Sequence, residues 1–361
     1  MVPMRGKGPG RLILLEGLRG FAAIYVFIGH VALQMLNARG GKVTFLFQFG
    51  QEAVMLFFLL SGFVIYYSVA NRHMTFGEYF TRRAVRIYPL YILALLASAP
   101  HQPPNGPPMW SNLLMLQDFG EGKPGVWFTT FGRDSALWSL SYEWWFYMMF
   151  FPIHRLVKVP KQQPLVMSIS IVNLVIYALA PNQISLFLMY FTIWWVGVEL
   201  ARSFTEGRLP TLAEQSRSIL ALAIPAAFFL TWVLVDHHRG VHLSLGIHPV
   251  LELRHFGSAL IFLGVACTAR GNSLGALKAV FHPFAILAPI SYSLYVFHMP
   301  LVVDASYLSS VVSGKLAILC YTVILFGLCY LLEVPFQSMI NSLALSHWRS
   351  LRNRSDDTRS S

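Results

Sequence analysis

Long apolar runs recur along the chain, separated by short polar stretches. Ala53–Val69, Ile219–Val235 and Leu316–Leu332 each contain no Asp, Glu, Lys or Arg. With interfacial residues added, each approaches the ~20 residues that cross a ~30 Å hydrocarbon core as a helix. Ten such segments can be placed, centred on Leu12–Leu36, Ala53–Val69, Ile87–Ala99, Leu137–Phe151, Leu165–Ala180, Ile184–Val198, Ile219–Val235, Phe256–Thr268, Phe284–Val303 and Leu316–Leu332. The third and eighth are short, and span only if flanking residues such as Arg86 snorkel to the interface. The expected fold class is an all-α polytopic membrane protein of about ten transmembrane helices.

Composition agrees with the pattern. Of 361 residues, 55% are hydrophobic and only 12% charged, about half the charge of an ordinary soluble domain. The net charge of +11 would suggest nucleic acid in a soluble protein. Here the basic residues sit in short loops, and no zinc finger, RNA-binding motif or Walker loop accompanies them. Ten spans place both termini on one side. The segments on that side hold 19 of the 27 Lys and Arg residues and the opposite segments hold 7, with Arg19 left inside a helix. That bias puts both termini in the cytoplasm. The basic start Met1–Arg11 resembles a signal peptide, but Glu16 and Arg19 interrupt the apolar run behind it, so a retained first helix is expected. Cys267, Cys320 and Cys329 all fall in apolar segments, and no disulfide is expected. Residues 1–345 read as one membrane domain, with no fused soluble hydrolase-like domain, and 346–361 as a cytoplasmic basic, disordered tail. Two outer stretches are long, the Pro/Gly-rich His101–Ala136 and the His-rich Asp236–His255.

Several residues are costly in a bilayer. Arg19 and His30 lie eleven positions apart on the first helix, close to three full turns, hence on one face and roughly 16 Å apart along the axis. A spanning arginine usually faces an interior or a cavity, and a one-turn ion pair with Glu16 is the structural alternative. His30 has the near-neutral pKa that suits a general base, although a buried histidine can also simply bond a neighbour. Glu143 is the one charge in Leu137–Phe151, at the depth of His30. The two could form an acid–base or orienting pair, or Glu143 could be a carboxyl bonded to a hydroxyl. Arg83 and Arg86, one turn apart, suit a phosphate-rich ligand, and interfacial anchoring beside Tyr88 explains them as well. His298 closes the ninth segment as a supporting or interfacial residue. The histidines His237, His238, His242, His248 and His255 lack the carboxylate spacing of zinc helices, so a solvated, substrate-contacting loop is expected there and no metal.

Taken together, these positions resemble the acyltransferase type 3 family, whose members O-acylate bacterial glycans, Nod factors and macrolides. The resembling stretches are Leu15-Glu-Gly-Leu-Arg19-Gly-Phe-Ala-Ala with His30, Phe57-Phe-Leu-Leu-Ser61-Gly-Phe, Arg82-Arg83-Ala-Val-Arg86-Ile-Tyr-Pro89, Trp138-Ser139-Leu-Ser-Tyr-Glu143 and Ser291-Tyr-Ser-Leu-Tyr295-Val-Phe-His298. The resemblance implies a helical membrane core of about ten spans. It implies His30 as catalytic base with Glu143, and acyl-CoA, most simply acetyl-CoA, handled by Arg19, Arg83 and Arg86. Ser61, Trp138, Ser139, Tyr295 and His298 become supporting residues. The implied location is the bacterial inner membrane, with a glycan or lipid-linked glycan as acceptor. A small-molecule O-acyltransferase of the macrolide-modifying kind, or a proton-coupled transporter using the same His and Glu, are the alternatives.

Overall fold

The computed structural model describes residues 9–35, 42–70, 72–308 and 310–344. The basic start up to Gly8 and the tail expected over 346–361 lie outside the described residues. Within them, regular structure is helical apart from one isolated bridge between Gln117 and Phe128. Ten helices carry the argument: α1 (Pro9–His30), α2 (Gly50–Val69), α3 (Phe76–Ser98), α4 (Trp138–Leu156), α5 (Val159–Leu179), α6 (Gln183–Thr205), α7 (Ser216–His238), α8 (Val250–Thr268), α9 (Ser291–His298) and α10 (Gly314–Leu331). A further helix, Gly271–Phe281, leads through a 3₁₀ run into α9.

Eight helical runs among the described residues are long and apolar enough to cross a membrane. They include α1 with the turn behind it, the composite Gly271–Val303 that contains α9, and Gly314–Ala344 beginning with α10. The protein is an all-α, multi-pass membrane protein. Helices α3 and α4 have 23 and 19 residues, ~35 Å and ~29 Å long at ~1.5 Å per residue, but carry more polar and charged positions than the rest. Each of the ten predicted segments falls on a helical run.

The two segments expected to be short are full-length helices. Thr75 caps α3 twelve residues before the apolar stretch, its Oγ1 accepting the Glu78 backbone N–H at 3.2 Å. Glu78 then pairs with Arg82 one turn on, at 2.8 Å. Arg82, Arg83 and Arg86 therefore lie inside α3 rather than on a flank, and Arg86 turns to Glu333 on the last helical run instead of snorkelling.

Close crossings bring the polar residues together. Gly62 of α2 lies against the Trp194 carbonyl of α6, and Gly197 of α6 against the Leu59 carbonyl of α2, so neither position has room for a Cβ. Gly17 and Gly20 press α1 in the same way onto the carbonyls of Phe281 and Phe284. Without a hydrophobic force between helices in lipid, such small-residue contacts hold them together. Around them, Trp194, Trp195, Tyr142, Tyr190, Phe146 and Phe191 are fully buried.

The long connection before α4 is tied down by a buried lysine. Lys123 Nζ donates to Asp118 Oδ1 at 2.9 Å and to the Tyr142 hydroxyl at 3.1 Å, and lies 3.9 Å from the centre of the Trp138 ring. Burial lowers its pKa from the ordinary lysine value, against the pull of Asp118. The His-rich stretch is only partly the solvated loop the sequence suggests. His237, His238 and His242 are exposed, but α8 runs back into the bundle and buries His255, which bonds the Tyr190 hydroxyl at 2.6 Å and Gln51 at 3.2 Å. The three cysteines are free thiols.

Candidate active site

The last turn of α1 and the last turn of α9 bring two histidines together. His30 Nδ1 lies 2.9 Å from His298 Nε2, with the ring centroids 5.0 Å apart and the planes 28° from parallel. His298 is fully buried. Its Nδ1 faces two backbone carbonyls, of Tyr295 at 2.8 Å and Leu294 at 3.1 Å. A nitrogen facing only acceptors must carry a hydrogen. In the neutral ring His298 Nε2 is then a bare acceptor, so His30 Nδ1–H donates to it. The lone pair of His30 is thereby placed on Nε2, which is the atom a base or nucleophile needs.

Glu143 is not the residue that orients His30. It accepts from Ser61 Oγ at 2.9 Å and from the Tyr147 hydroxyl one turn along α4. Ser61 in turn accepts from Trp194 Nε1 at 3.1 Å. Of the two possibilities open at the sequence level, hydroxyl bonding is the one adopted. Trp138 and Ser139 open the same helix. Ser139 Oγ meets the Tyr295 hydroxyl at 2.8 Å, and Tyr295 donates onward to the Ala136 carbonyl at 2.6 Å. This bond ties the start of α4 to α9, one turn before His298.

The arginines separate into paired and unpaired. Arg86 forms an ion pair with buried Glu333 and lies 5.2 Å from the centre of the Tyr292 ring. Arg83 has no carboxylate partner among the described residues. Its guanidinium sits beside the rings of Tyr79 at 5.6 Å and Tyr147 at 5.9 Å, and its Nε is buried without a partner. Arg19, half-buried, forms no ion pair among the described residues, Glu16 included. It lies within electrostatic reach of Arg86, Glu333, Glu143 and Tyr147. Two polar centres result: the histidine pair at the ends of α1 and α9, and a group of cations around Tyr147, roughly 16 Å along α1 from it. Tyr147, Tyr292 and Glu333 were missed from sequence. Glu333 carried a usable signal, since a carboxylate at the end of an apolar run is rare enough to flag. No cluster of three His, Cys, Asp or Glu side chains that could hold a metal occurs among the described residues.

The structure is that of a multi-pass helical bundle in which half-buried His30 meets buried His298, and Arg19 and Arg83 have no carboxylate partner among the described residues. Residues 12–334 match the acyltransferase domain family, and the chain belongs to that family. Membership in an acyltransferase family favours the acyl-transfer reading over the transporter alternative. The chain is 34% identical over 162 residues to the acyltransferase MdmB of Streptomyces mycarofaciens, covering 41% of this chain and 40% of that protein. It is 38% identical over 100 residues to protein 2 in the picA locus of Rhizobium radiobacter, covering 27% of this chain and 48% of that protein. The matches thus span less than half the length of these relatives. No solved structure matches.

Proposed function

We propose that the protein is an O-acyltransferase of the bacterial inner membrane. It moves an acetyl or similar acyl group from acyl-CoA to a hydroxyl of an exported or lipid-linked glycan. The observation that carries this reading is the His30–His298 pair, which leaves His30 Nε2 without a partner among the described residues. In the proposed step, His30 Nε2 takes the proton of the acceptor hydroxyl as its oxygen attacks the thioester carbonyl. The C–S bond breaks, and the imidazolium returns the proton to the departing thiolate, leaving ester and CoA thiol. His298 fixes the tautomer and orientation of His30. Glu143 sets the field around Tyr147 and the cations.

The donor's phosphates belong with the unpaired guanidiniums, which suit phosphate geometry. CoA carries its phosphates and its thioester at opposite ends of a flexible arm, and the separation of the two polar centres along α1 suits such a molecule. Ten spans with both termini in the cytoplasm bring the phosphates in from the cytoplasmic side. The acceptor is then presented near the long connection before α4. A small-molecule acceptor of the macrolide type is the second reading, supported by the likeness to MdmB, a named acyltransferase.

The test is transfer of radiolabelled acetyl from acetyl-CoA by purified protein, with a cell-envelope glycan extract and a macrolide offered separately. Label on glycan with wild type, lost with His30→Ala, supports the proposal. Label on the macrolide alone selects the second reading. Transfer unaffected by His30→Ala overturns the assignment of the base, and hydroxylamine-labile label on the protein itself, absent from His30→Ala, would make His30 an acyl carrier.

A further inference from the structure

The half-buried cations of α1 and α3 differ in whether anything neutralises them. Arg82 is taken by Glu78 at 2.8 Å. Arg86 is taken by Glu333, whose side chain is 3% exposed and sits in the helical turn Leu332–Phe336 that continues α10. Glu143 takes hydrogen bonds from Ser61 and Tyr147 and forms no ion pair with either remaining arginine. Arg83 and Arg19 are left without carboxylate partners among the described residues, and both lie near Tyr147. Arg83 is further held beside two aromatic rings, which restrict its fork without satisfying its N–H groups. A guanidinium already neutralised by a buried carboxylate offers a phosphate little net charge, whereas a positioned, unpaired one offers its full charge.

We propose that Glu333 is a positioning residue that commits Arg86 to tying α3 to the last helical run, so that the phosphates of the donor are held by Arg83 and Arg19 alone. The two arginines of the Arg-x-x-Arg stretch then have different tasks, one structural and one in donor recognition. Beyond neutralising Arg86, Glu333 places a negative charge within reach of Arg19 and so weakens the field a polyanion meets. The inference rests on the acyl-CoA reading.

The experiment measures binding of CoA to purified full-length protein in nanodiscs, with the KM for acetyl-CoA, across a salt series. Arg83→Gln should weaken CoA binding at least about tenfold, the size expected for losing a charged hydrogen-bond donor, and flatten its salt dependence. The double variant Arg86→Gln/Glu333→Gln, which removes both charges of the pair, should keep Kd and KM within about threefold of wild type. Glu333→Gln alone frees Arg86 and should tighten CoA binding several-fold, which decides the matter even if the double variant does not fold. A double variant as weak as Arg83→Gln, or Glu333→Gln binding no tighter than wild type, overturns the assignment. Wild type that binds no CoA at all overturns the donor reading, and the proposal with it.

Discussion

Replacing His298 separates its effect on His30 from a role of its own. The 2.9 Å bond between the rings, and the two carbonyls at 2.8 and 3.1 Å behind His298, hold the free lone pair of His30 on Nε2. His298→Ala removes that acceptor. The net worth of one such hydrogen bond, about 0.5–1.5 kcal/mol, shifts the tautomer balance by up to roughly tenfold. The freed ring also loses alignment, and misplacement by ~1 Å can cost about a hundredfold. kcat should therefore fall about 30- to 1,000-fold, within the ~10²–10⁴ that a general base contributes, with KM for acetyl-CoA changed less than about threefold. His298→Gln offers an amide oxygen to His30 Nδ1–H and should recover about tenfold of the loss. Because His298 acts through His30, the double variant His30→Ala/His298→Ala should be no slower than His30→Ala alone. The assay is initial-rate acetyl transfer by purified enzyme, with melting temperatures to confirm the fold. Additive losses in the double variant, or a kcat for His298→Ala within twofold of wild type, would refute the reasoning.

Three further outcomes follow from the packing and the buried charges. Gly62→Ala drives a methyl into the Trp194 carbonyl at the α2–α6 crossing. It should cost about 1–3 kcal/mol, seen as a lower melting temperature, together with a drop in activity as Trp194 shifts off Ser61. Lys123→Met leaves Asp118 buried and unpaired, and should destabilise the protein by about 3–5 kcal/mol, with protease cutting in the connection 101–136 as the readout. Asp134 is fully buried, and burial, followed by the nearby Asp304, holds its pKa well above the carboxylate range. A raised pKa in the fold means that its stabilising contribution is complete below the unfolded value of ~3.9 and is lost as pH rises through the folded value. Asp134→Asn should therefore be at least as stable as wild type at pH 7–8 and should lose less stability on further alkalinisation, by melting temperature against pH.

The hydropathy pattern located the helices because spanning length and absence of charge are local properties of the chain. The same logic found Arg19, His30 and Glu143, whose cost in a bilayer marks them without knowledge of any partner. Partners were not legible. His30 and His298 are 268 positions apart, and helical periodicity assigns a residue to a face but not the face to a neighbour. Glu143 beside His30 was the natural pairing of two unusual groups at one depth, yet the α4 rotamer turns the carboxylate to Tyr147 and Ser61. The start of α3 at Thr75 was obscured because its first three turns are polar. A cap and an i,i+4 pair, rather than apolar spacing, carry the helix there. His255 was assigned to solvent by its polar neighbours in sequence, whereas the helix beginning at Val250 carries it inward.

If His30 is the base proposed above, the histidine pair also explains why no carboxylate is needed beside it. A histidine base in a water-excluding site can be oriented by a carboxylate, but a buried ion is costly unless fully paired and hydrogen-bonded, and most costly within a bilayer. Backbone carbonyls are available at the end of any helix. His298 uses those of its own last turn, at positions Leu294 and Tyr295, to fix its Nδ1 hydrogen. It then passes the constraint to His30 through a neutral hydrogen bond. The resting pair carries no net charge, so burying it costs little. In the proposed step charge appears only as His30 takes the proton, when the bare Nε2 of His298 already points at the developing imidazolium and would stabilise it. Stabilisation that grows as the reaction proceeds lowers the barrier rather than merely tightening the ground state. On this argument the carboxylates stay with the cations at the other polar centre, where the proposed donor brings its own negative charge. The histidine centre stays neutral until the transfer begins.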